Sequence, residues 1–243
     1  MTFFTPKNLL KLTAIMGSAS LLVACGGGGG GNTIDSRFPV GEATYNLLDT
    51  YQQKNLRITG TSDRNGYSTG LSGSVNWSQD ALRAQSYFNG IPAWEQSTRV
   101  SGSMYEGNYY QQVYNNVIHY VDGQRKPLGY SDDRNYCVVT SSAPIPEYLH
   151  PGEGLVYANY RCYSDASMRY QTGTLSSSYV LGDGPSLFEA NLAHIETFNK
   201  IGQGAPDVTQ TNYVINLSGD TYFDSVTINR HEDRYNASIV YAP

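Results

Sequence analysis

The feature that most constrains this chain is a two-residue alternation of apolar and polar side chains, clearest at its C-terminus. Side chains of a β-strand point alternately to opposite faces, so this period is typical of half-buried strands and not of helices. We expect three antiparallel strands there, separated by turns such as Gly219-Asp220. Their buried face should carry Tyr213, Ile215, Leu217, Val226, Ile228, Tyr235, Ala237, Ile239 and Tyr241. Their outer face should carry Asn212, Asn216, Thr227, Asn229, Arg234, Asn236 and Ser238.

The same period recurs upstream and predicts about ten strands over roughly 200 residues. The expected fold class is therefore all-β, an antiparallel meander that forms a barrel or a sandwich with one or two short helical turns. The helical exceptions are Glu42–Gln53 and Ser78–Ala84, the latter with Ser78 as its N-cap. Leu187–Ile201 suits a strand or a helix, and its strand neighbours favour the strand. Hairpin turns are predicted at Asp63–Gly66 and at Asp122-Gly123.

Composition narrows the partners of this domain. The formal net charge is −5, and a chain this acidic is a poor candidate for nucleic acid, which requires clustered Lys and Arg. Tyrosine is abundant, at 21 residues against 7 Phe and 2 Trp, which favours strands and suits half-polar surfaces. Packing on the faces of the sheet explains these tyrosines more simply than a binding groove does.

The first 25 residues have the parts of an export signal. Lys7 and Lys11 precede an apolar stretch, Leu12–Ala24, which is too short for a bilayer span of ~20 residues. Leu22-Val23-Ala24-Cys25 ends this stretch, and a run of glycines, Gly26–Gly31, follows at once. This pattern resembles the lipobox of bacterial lipoproteins.

The resemblance implies an anchor and a location. Residues 1–24 would be a lipoprotein signal peptide, Cys25 would be acylated with palmitate-like chains, residues 25–41 would be a Gly-rich tether and residues 42–243 the all-β domain. Several acyl chains on Cys25 would hold the protein in membrane lipid far more firmly than one chain does. Because Gly26 and not aspartate follows Cys25, the resemblance indicates the cell outer membrane of a Gram-negative bacterium, on either its periplasmic or its surface side.

Two cysteines remain once Cys25 is lipidated. Cys137 and Cys162 both lie in strand-like sequence, and an even pair outside the cytosol predicts a disulfide bond. The alternative, a metal or redox pair, would be expected in a C-x-x-C spacing that the sequence does not contain.

The sequence contains no motif that assigns a reaction. His194 and Glu196 share a strand face and could bind a metal or exchange protons, but a solvated sheet face explains them better. Asp63-Arg64-Asn65-Gly66 starts like a calcium loop but lacks the later ligands, which favours a turn. Loop carboxylates at Asp132-Asp133, Glu147 and Glu153 are the only candidate glycosidase acids. We therefore expect no catalytic residue, no metal and no cofactor, and the ligand-binding residues stay unknown.

A Gly-rich tether followed by a tyrosine- and glycine-rich β domain is also similar in architecture to Gram-negative surface lipoproteins of the transferrin-binding and factor-H-binding types. That similarity implies a non-enzymatic binding module for a protein, a glycan or an envelope component. Two alternatives stay open: an anchored glycan hydrolase that uses loop carboxylates, and a structural or assembly factor of the envelope.

Overall fold

The computed structural model describes residues 37–232 and 235–243, without the side chains of residues 84 and 85. The predicted signal peptide and the lipidation site Cys25 lie outside these residues, as does Arg234. The elements are α1 Val40–Asp49, β1 Gln52–Arg64, β2 Tyr67–Gln79, β3 Arg83–Phe88, β4 Ile91–Glu106, β5 Tyr109–Val121, β6 Pro127–Ser131, β7 Tyr136–Ser142, β8 Gly154–Tyr163, β9 Gln171–Asp183, β10 Glu189–Lys200, β11 Asp207–Asn216, β12 Thr221–Glu232 and β13 Tyr235–Ala242.

The strands form one antiparallel sheet that closes on itself, which confirms the all-β meander. Pairing of β1 with β13 and of β2 with β4 completes the ring. The sheet has 13 strands and not about ten. β3 was missed because a helical turn was expected over Ser78–Ala84, where this strand begins. β3 extends the edge of β4 beyond the end of β2, where it pairs with Ile91–Glu95.

The tight turn between β1 and β2 shows how local sequence sets the strand register. Asn65 and Gly66 both have positive φ, 54° and 84°, which is the backbone of a type I′ turn. The Asp63 carboxylate accepts a hydrogen bond from the Gly66 N–H at 2.9 Å. The predicted turn is therefore confirmed, and it holds Arg64 opposite Tyr67.

Successive turns of a meander lie alternately at the two ends of the sheet. We call one end the helix end, because α1 packs there against the β5–β6 and β11–β12 turns and the loop before β8. Phe38 exchanges two backbone hydrogen bonds with Leu149, and the Asn46 amide donates to the carbonyl of Gly219. The other end, the open end, carries the β1–β2, β4–β5, β6–β7, β8–β9, β10–β11 and β12–β13 turns.

The apolar core fills the interior of the sheet, its lumen, at the helix end. Trp77 stacks on Phe223 with ring centroids 4.6 Å apart. Gln79 and Gln96 donate hydrogen bonds to the carbonyl of Leu47, at 2.8 and 3.0 Å, and so satisfy the C-terminal end of α1. Fully buried side chains around them are Phe38, Val40, Ala43, Ile58, Leu181, Ala190, Leu192 and Ile215. Within the described chain, no helix is long and apolar enough to cross a membrane.

Two helical predictions need correction. The first helix runs over Val40–Asp49 and not Glu42–Gln53, because Val40 and Ala43 pack into the core while β1 has already begun at Gln52. The prediction of a helical turn at Ser78–Ala84 was wrong. Ser78 is paired within β2, opposite Gln53 and Arg99, so strand pairing overrides its preference for a helix cap.

The C-terminal meander is largely as predicted. β11, β12 and β13 pair in order, and Ile239 and Ala237 face the lumen opposite Ile228 and Arg230. The predicted burial of Leu217 was wrong, because β11 ends at Asn216 and leaves Leu217 exposed in the turn. The remaining apolar residues are buried or half-buried: Tyr213, Ile215, Val226, Ile228, Tyr235, Ala237, Ile239 and Tyr241. The expected outer positions are exposed or half-buried: Asn212, Asn216, Thr227, Asn229, Asn236 and Ser238.

The predicted disulfide between Cys137 and Cys162 is confirmed. The two residues are direct partners on β7 and β8, and their Cα atoms are 3.9 Å apart. Both side chains are fully buried in a small cluster with Ala158, Tyr160 and Leu175. The bond therefore joins the two strands on the lumen side of the sheet.

Candidate functional site

The strand register carries polar side chains into the lumen beyond the apolar core. On β10, His194 and Glu196 follow Leu192 at two-residue steps and therefore share its inward face. Their partners on β9 are Tyr179 and Ser177. The expectation of a solvated sheet face for His194 and Glu196 was wrong, because the face that they share is the inner one.

We define the lumen cluster as the inward-facing polar and aromatic residues midway along the sheet: His119, Tyr130, Tyr160, Ser177, Tyr179, His194, Glu196 and Tyr213. Its contacts are close. The Tyr179 ring stacks on His194 at 4.8 Å between centroids, and the Ser177 hydroxyl lies 2.7 Å from Nε2 of His194. His119 meets the ring of Tyr130 edge-on at 5.3 Å.

Burial in the lumen disfavours charge on these groups. It lowers the pKa of His119 to about 4, and together with the nearby His119 it lowers the pKa of His194 to about 3. Burial, with a smaller contribution from Asp132, raises the pKa of Glu196 to about 7. Burial also raises the pKa of the Tyr179 hydroxyl well above its ordinary value. Both histidines are therefore neutral at pH 7, and the Glu196 carboxyl is only partly ionised.

A small cavity of about 80 Å³ lies between the lumen cluster and α1. It is walled by rings and hydroxyls, among them Tyr160, Tyr179, Tyr213 and His119. The three tyrosine hydroxyls make no hydrogen bond with another described residue. A polar cavity of this size has room for several water molecules, each of which needs roughly 10–15 Å³.

A far larger cavity opens at the other end of the lumen. We call it the mouth; its volume is about 1010 Å³, at the upper end of the ~300–1,000 Å³ typical of ligand pockets. Hairpin turns and strand ends of the open end supply its wall: Arg64, Asn65, Met104, Glu106, Gln111, Arg134, Ile201, Gly202, Gln203, Arg230, Glu232, Tyr235 and Ile239.

Charges of both signs line the mouth. Arg64 lies 3.9 Å from the Glu106 carboxylate and sits over the Tyr235 ring, 5.2 Å from its centroid. The Ser62 hydroxyl also donates to Glu106, at 2.5 Å. Beside the mouth, Lys200 pairs with Asp207 at 2.8 Å. These contacts fix part of the wall in place.

Three polar groups of the mouth are not used in this way. Arg134 and Arg230 form no ion pair with any carboxylate of the described residues. Oε1 of Gln203 is buried and accepts no hydrogen bond from any residue that the structure describes. Within the described residues, two guanidinium groups and one amide oxygen of the mouth therefore have no protein partner.

The predicted glycosidase carboxylates do not come together. Asp132 lies at the open end and holds the β6–β7 turn, where it accepts hydrogen bonds from the Tyr130 hydroxyl and the Asn135 N–H, both at 2.7 Å. Glu147 and Glu153 lie at the helix end, where Glu153 accepts the backbone N–H of His150 at 2.7 Å. The carboxylates of Asp132 and Glu153 each stabilise a loop, and the two sets of residues lie at opposite ends of the sheet.

The Ser177–His194 pair is the arrangement closest to a nucleophile and its base. A catalytic base needs a partner that orients its second ring nitrogen and a pKa near the working pH. No described residue bonds the second nitrogen of His194, and burial holds the pKa of this residue at about 3. No three described His, Cys, Asp or Glu side chains are grouped so that they could hold a metal ion.

Sequence reasoning missed the arginines of the mouth. Arg64 and Arg134 lie at the β1–β2 and β6–β7 turns, and Arg230 lies two residues before the end of β12. A signal for them was present, because in a meander every second turn lies at the same end. Counting the hairpins would have placed these three residues at one end of the sheet. No family model, curated protein or solved structure matches this chain, so the site is described from its geometry alone.

Proposed function

We propose that this chain is a lipid-anchored binding module of the bacterial cell outer membrane that takes its ligand into the mouth. The observation that carries the proposal is the cavity of about 1010 Å³, open at one end of a closed sheet. Strands on all sides of the lumen hold the wall of this cavity in place, so the pocket is preformed. Binding of a ligand therefore costs little conformational entropy for ordering the wall.

The position of the mouth suits an anchored binder. Leu22-Val23-Ala24-Cys25 supports lipidation at Cys25, and the described chain begins at the helix end, where Phe38 pairs with Leu149. The first described residues of the domain and the mouth therefore lie at opposite ends of the sheet.

A non-enzymatic role is supported by how the reactive groups are used. The loop carboxylates of Asp132 and Glu153 accept hydrogen bonds from backbone N–H groups, and the Ser177–His194 pair has no orienting partner among the described residues. Besides arginines and amides, the mouth holds two carboxylates that already have protein partners: Glu106 contacts Arg64 and the Ser62 hydroxyl, and Glu232 lies 4.0 Å from Lys200.

Cys25→Ala tests the anchor. The substitution removes the sulfur that carries the acyl chains, so we expect the protein to leave the membrane fraction. Fractionation of envelope membranes before and after a high-salt wash measures this. A Cys25→Ala protein that stays bound through the wash would contradict the lipid anchor.

A matched pair of tryptophan substitutions tests the mouth. Gln111 lines the cavity, whereas its neighbour Gln112 is exposed on the outer face of β5. Native mass spectrometry of the full chain, extracted from its envelope in mild detergent, should show a bound molecule. We expect Gln111→Trp to remove it and Gln112→Trp to retain it. If both variants lose the bound molecule, or if neither does, the mouth is excluded as its site. A co-purifying protein in place of a small molecule would favour an assembly factor.

A further inference from the structure

We infer that the ligand of the mouth is an acidic saccharide, a molecule in which one or a few carboxylate or phosphate groups sit among hydroxyl groups. This inference rests on the proposed function and adds the chemistry that the mouth recognises. It follows from three groups of the mouth that have no ion pair or hydrogen-bond partner among the described residues: the guanidinium groups of Arg134 and Arg230 and the amide oxygen of Gln203.

The two arginines point to an anion. Within the described chain, Arg64 at the mouth and Arg83, Arg99 and Arg125 outside it each have a carboxylate partner, whereas the exposed Arg57 and Arg161 on the outer face have none. Arg134 and Arg230 line the same cavity without one. A guanidinium group presents a planar fork of N–H donors that matches a carboxylate or a phosphate with two parallel hydrogen bonds. Lysine would attract an anion but would not supply that geometry.

The amide oxygen of Gln203 points to hydroxyl groups. It is a buried acceptor without a donor, which is costly unless a ligand or water supplies an O–H or N–H group. Glu106 and Glu232 add further acceptors to the wall, and Gln111 and Asn65 add amides that both donate and accept. A ring of hydroxyl groups satisfies such a mixed set, whereas a simple inorganic anion would leave the acceptors unused.

The same two carboxylates argue against a polyanion. Glu106 and Glu232 share the wall with the arginines, so a ligand with charge at every position would meet repulsion as well as attraction. A neutral glycan, in turn, would leave Arg134 and Arg230 without partners. The wall therefore fits a ligand whose negative charge is local and whose remaining surface consists of hydroxyl groups.

Titration calorimetry on the detergent-solubilised full chain tests this with four probes: glucose, glucuronate, glucose 6-phosphate and inorganic phosphate. We expect glucuronate or glucose 6-phosphate to bind at least tenfold more tightly than glucose and than inorganic phosphate. A glucuronate-containing tetrasaccharide separates the sources, because a binder of envelope glycans should prefer it to the free monosaccharide and a binder of free sugars should not.

Three arginine substitutions locate the binding. Arg134→Ala and Arg230→Ala should each weaken binding of the acidic probe about tenfold or more, because each removes charge-assisted hydrogen bonds. Arg161→Ala, on the exposed face of β8, is the matched control and should change nothing. Arg134→Lys should recover only part of the loss. Thermal unfolding of each variant shows that the fold is intact.

The outcomes separate the ligand class from the proposed function. Equal affinity for glucose and glucuronate, or binding that both arginine substitutions leave unchanged, would overturn the acidic saccharide. So would a co-purified ligand that Gln111→Trp removes and that proves to be neutral or cationic. Absence of any ligand in the mouth, in calorimetry and in native mass spectrometry alike, would instead overturn the proposed function.

Discussion

The two ends of the lumen are built from the same strands, but one end is filled with apolar side chains and the other encloses a cavity. At the helix end, Leu192 and Ile215 are fully buried in the same apolar cluster as Val40 and Ala43 of α1, and the interior is packed. At the open end, the continuation of the same inward faces ends in Glu232, Lys200 and a large cavity. The main apolar core is therefore concentrated at the helix end. The open end can carry charged groups that a packed core would exclude.

A single strand shows the change. Along the inward face of β10, Leu192 gives way to His194 and Glu196, and the strand ends at Lys200. The backbone pairing stays regular, because each residue from Ala190 to Phe198 has a partner on both β9 and β11. The side chains alone decide where the core ends and the cavity begins, so substitutions along one face can test the difference between the ends.

The largest effect should come from the helix end. Leu192→Ala should lower the free energy of unfolding by about 4 kcal/mol, because a fully buried leucine leaves a cavity that rigid neighbours cannot fill. Ile239→Ala should cost less, about 2 kcal/mol, because Ile239 borders the mouth on one side. Chemical denaturation measures both, with the exposed Ser238→Ala as the control. Equal losses for Leu192→Ala and Ile239→Ala would mean that the ends are packed alike.

The disulfide should come next. Replacing Cys137 and Cys162 together by serine should lower the free energy of unfolding by roughly 3.5 kcal/mol in the chain-entropy model for a loop of 25 residues. Denaturation of the double variant beside the oxidised and the reduced wild type measures it. A double variant as stable as the oxidised protein would show that the pairing of β7 with β8 needs no covalent bond.

Strands, their faces and the disulfide could be predicted because each depends on local pattern. The inward face of β13 follows from counting by two from Tyr235 to Tyr241. The closure of the sheet could not be predicted in this way, because pairing of Gly60 with Ile239 or of Val75 with Gly102 joins distant parts of the chain. Without closure, nothing in the sequence shows that an inner face exists beyond the core.

The candidate site was mostly missed for the same reason. A polar residue in an alternating strand is normally taken to face water, and Glu196 was placed outside on that basis. In a closed sheet of this many strands, the lumen is too wide for its side chains to fill, so polar residues can face inward towards a cavity. The mouth arginines become visible only when the turns are assigned to ends.

Glu196 should make the middle of the lumen sensitive to pH. Its pKa rises from an ordinary 4.5 to about 7 on folding, so the unfolded chain ionises first as the pH rises. Well below pH 4.5 the carboxyl of Glu196 is protonated in both states and does not lower the free energy of unfolding. As the pH rises through 7, the unfolded state gains the advantage of ionisation, and the free energy of unfolding therefore falls. Glu196→Gln removes this loss, and we expect it to raise the free energy of unfolding by roughly 1–3 kcal/mol at pH 8.

The same pair of proteins at pH 4 provides the control, because the carboxyl is then protonated in both states and the two should be equally stable. Denaturation curves at pH 4, 6 and 8 measure the trend. A Gln variant that is less stable than the wild type at pH 8 would mean that Glu196 gains a partner on folding, contrary to its position in the lumen.

The smallest effect on stability should lie in the mouth. Arg134 is exposed at the β6–β7 turn, and its own backbone N–H, which a substitution keeps, makes the bond to Asp132. Arg134→Ala should therefore change the free energy of unfolding by less than about 0.5 kcal/mol, as should Arg161→Ala on the outer face. Chemical denaturation of both variants, beside their calorimetry, decides the matter. If the open end serves ligand binding and not stability, the two variants unfold alike and differ only in affinity. A loss of 2 kcal/mol or more in Arg134→Ala alone would show instead that its guanidinium group supports the fold.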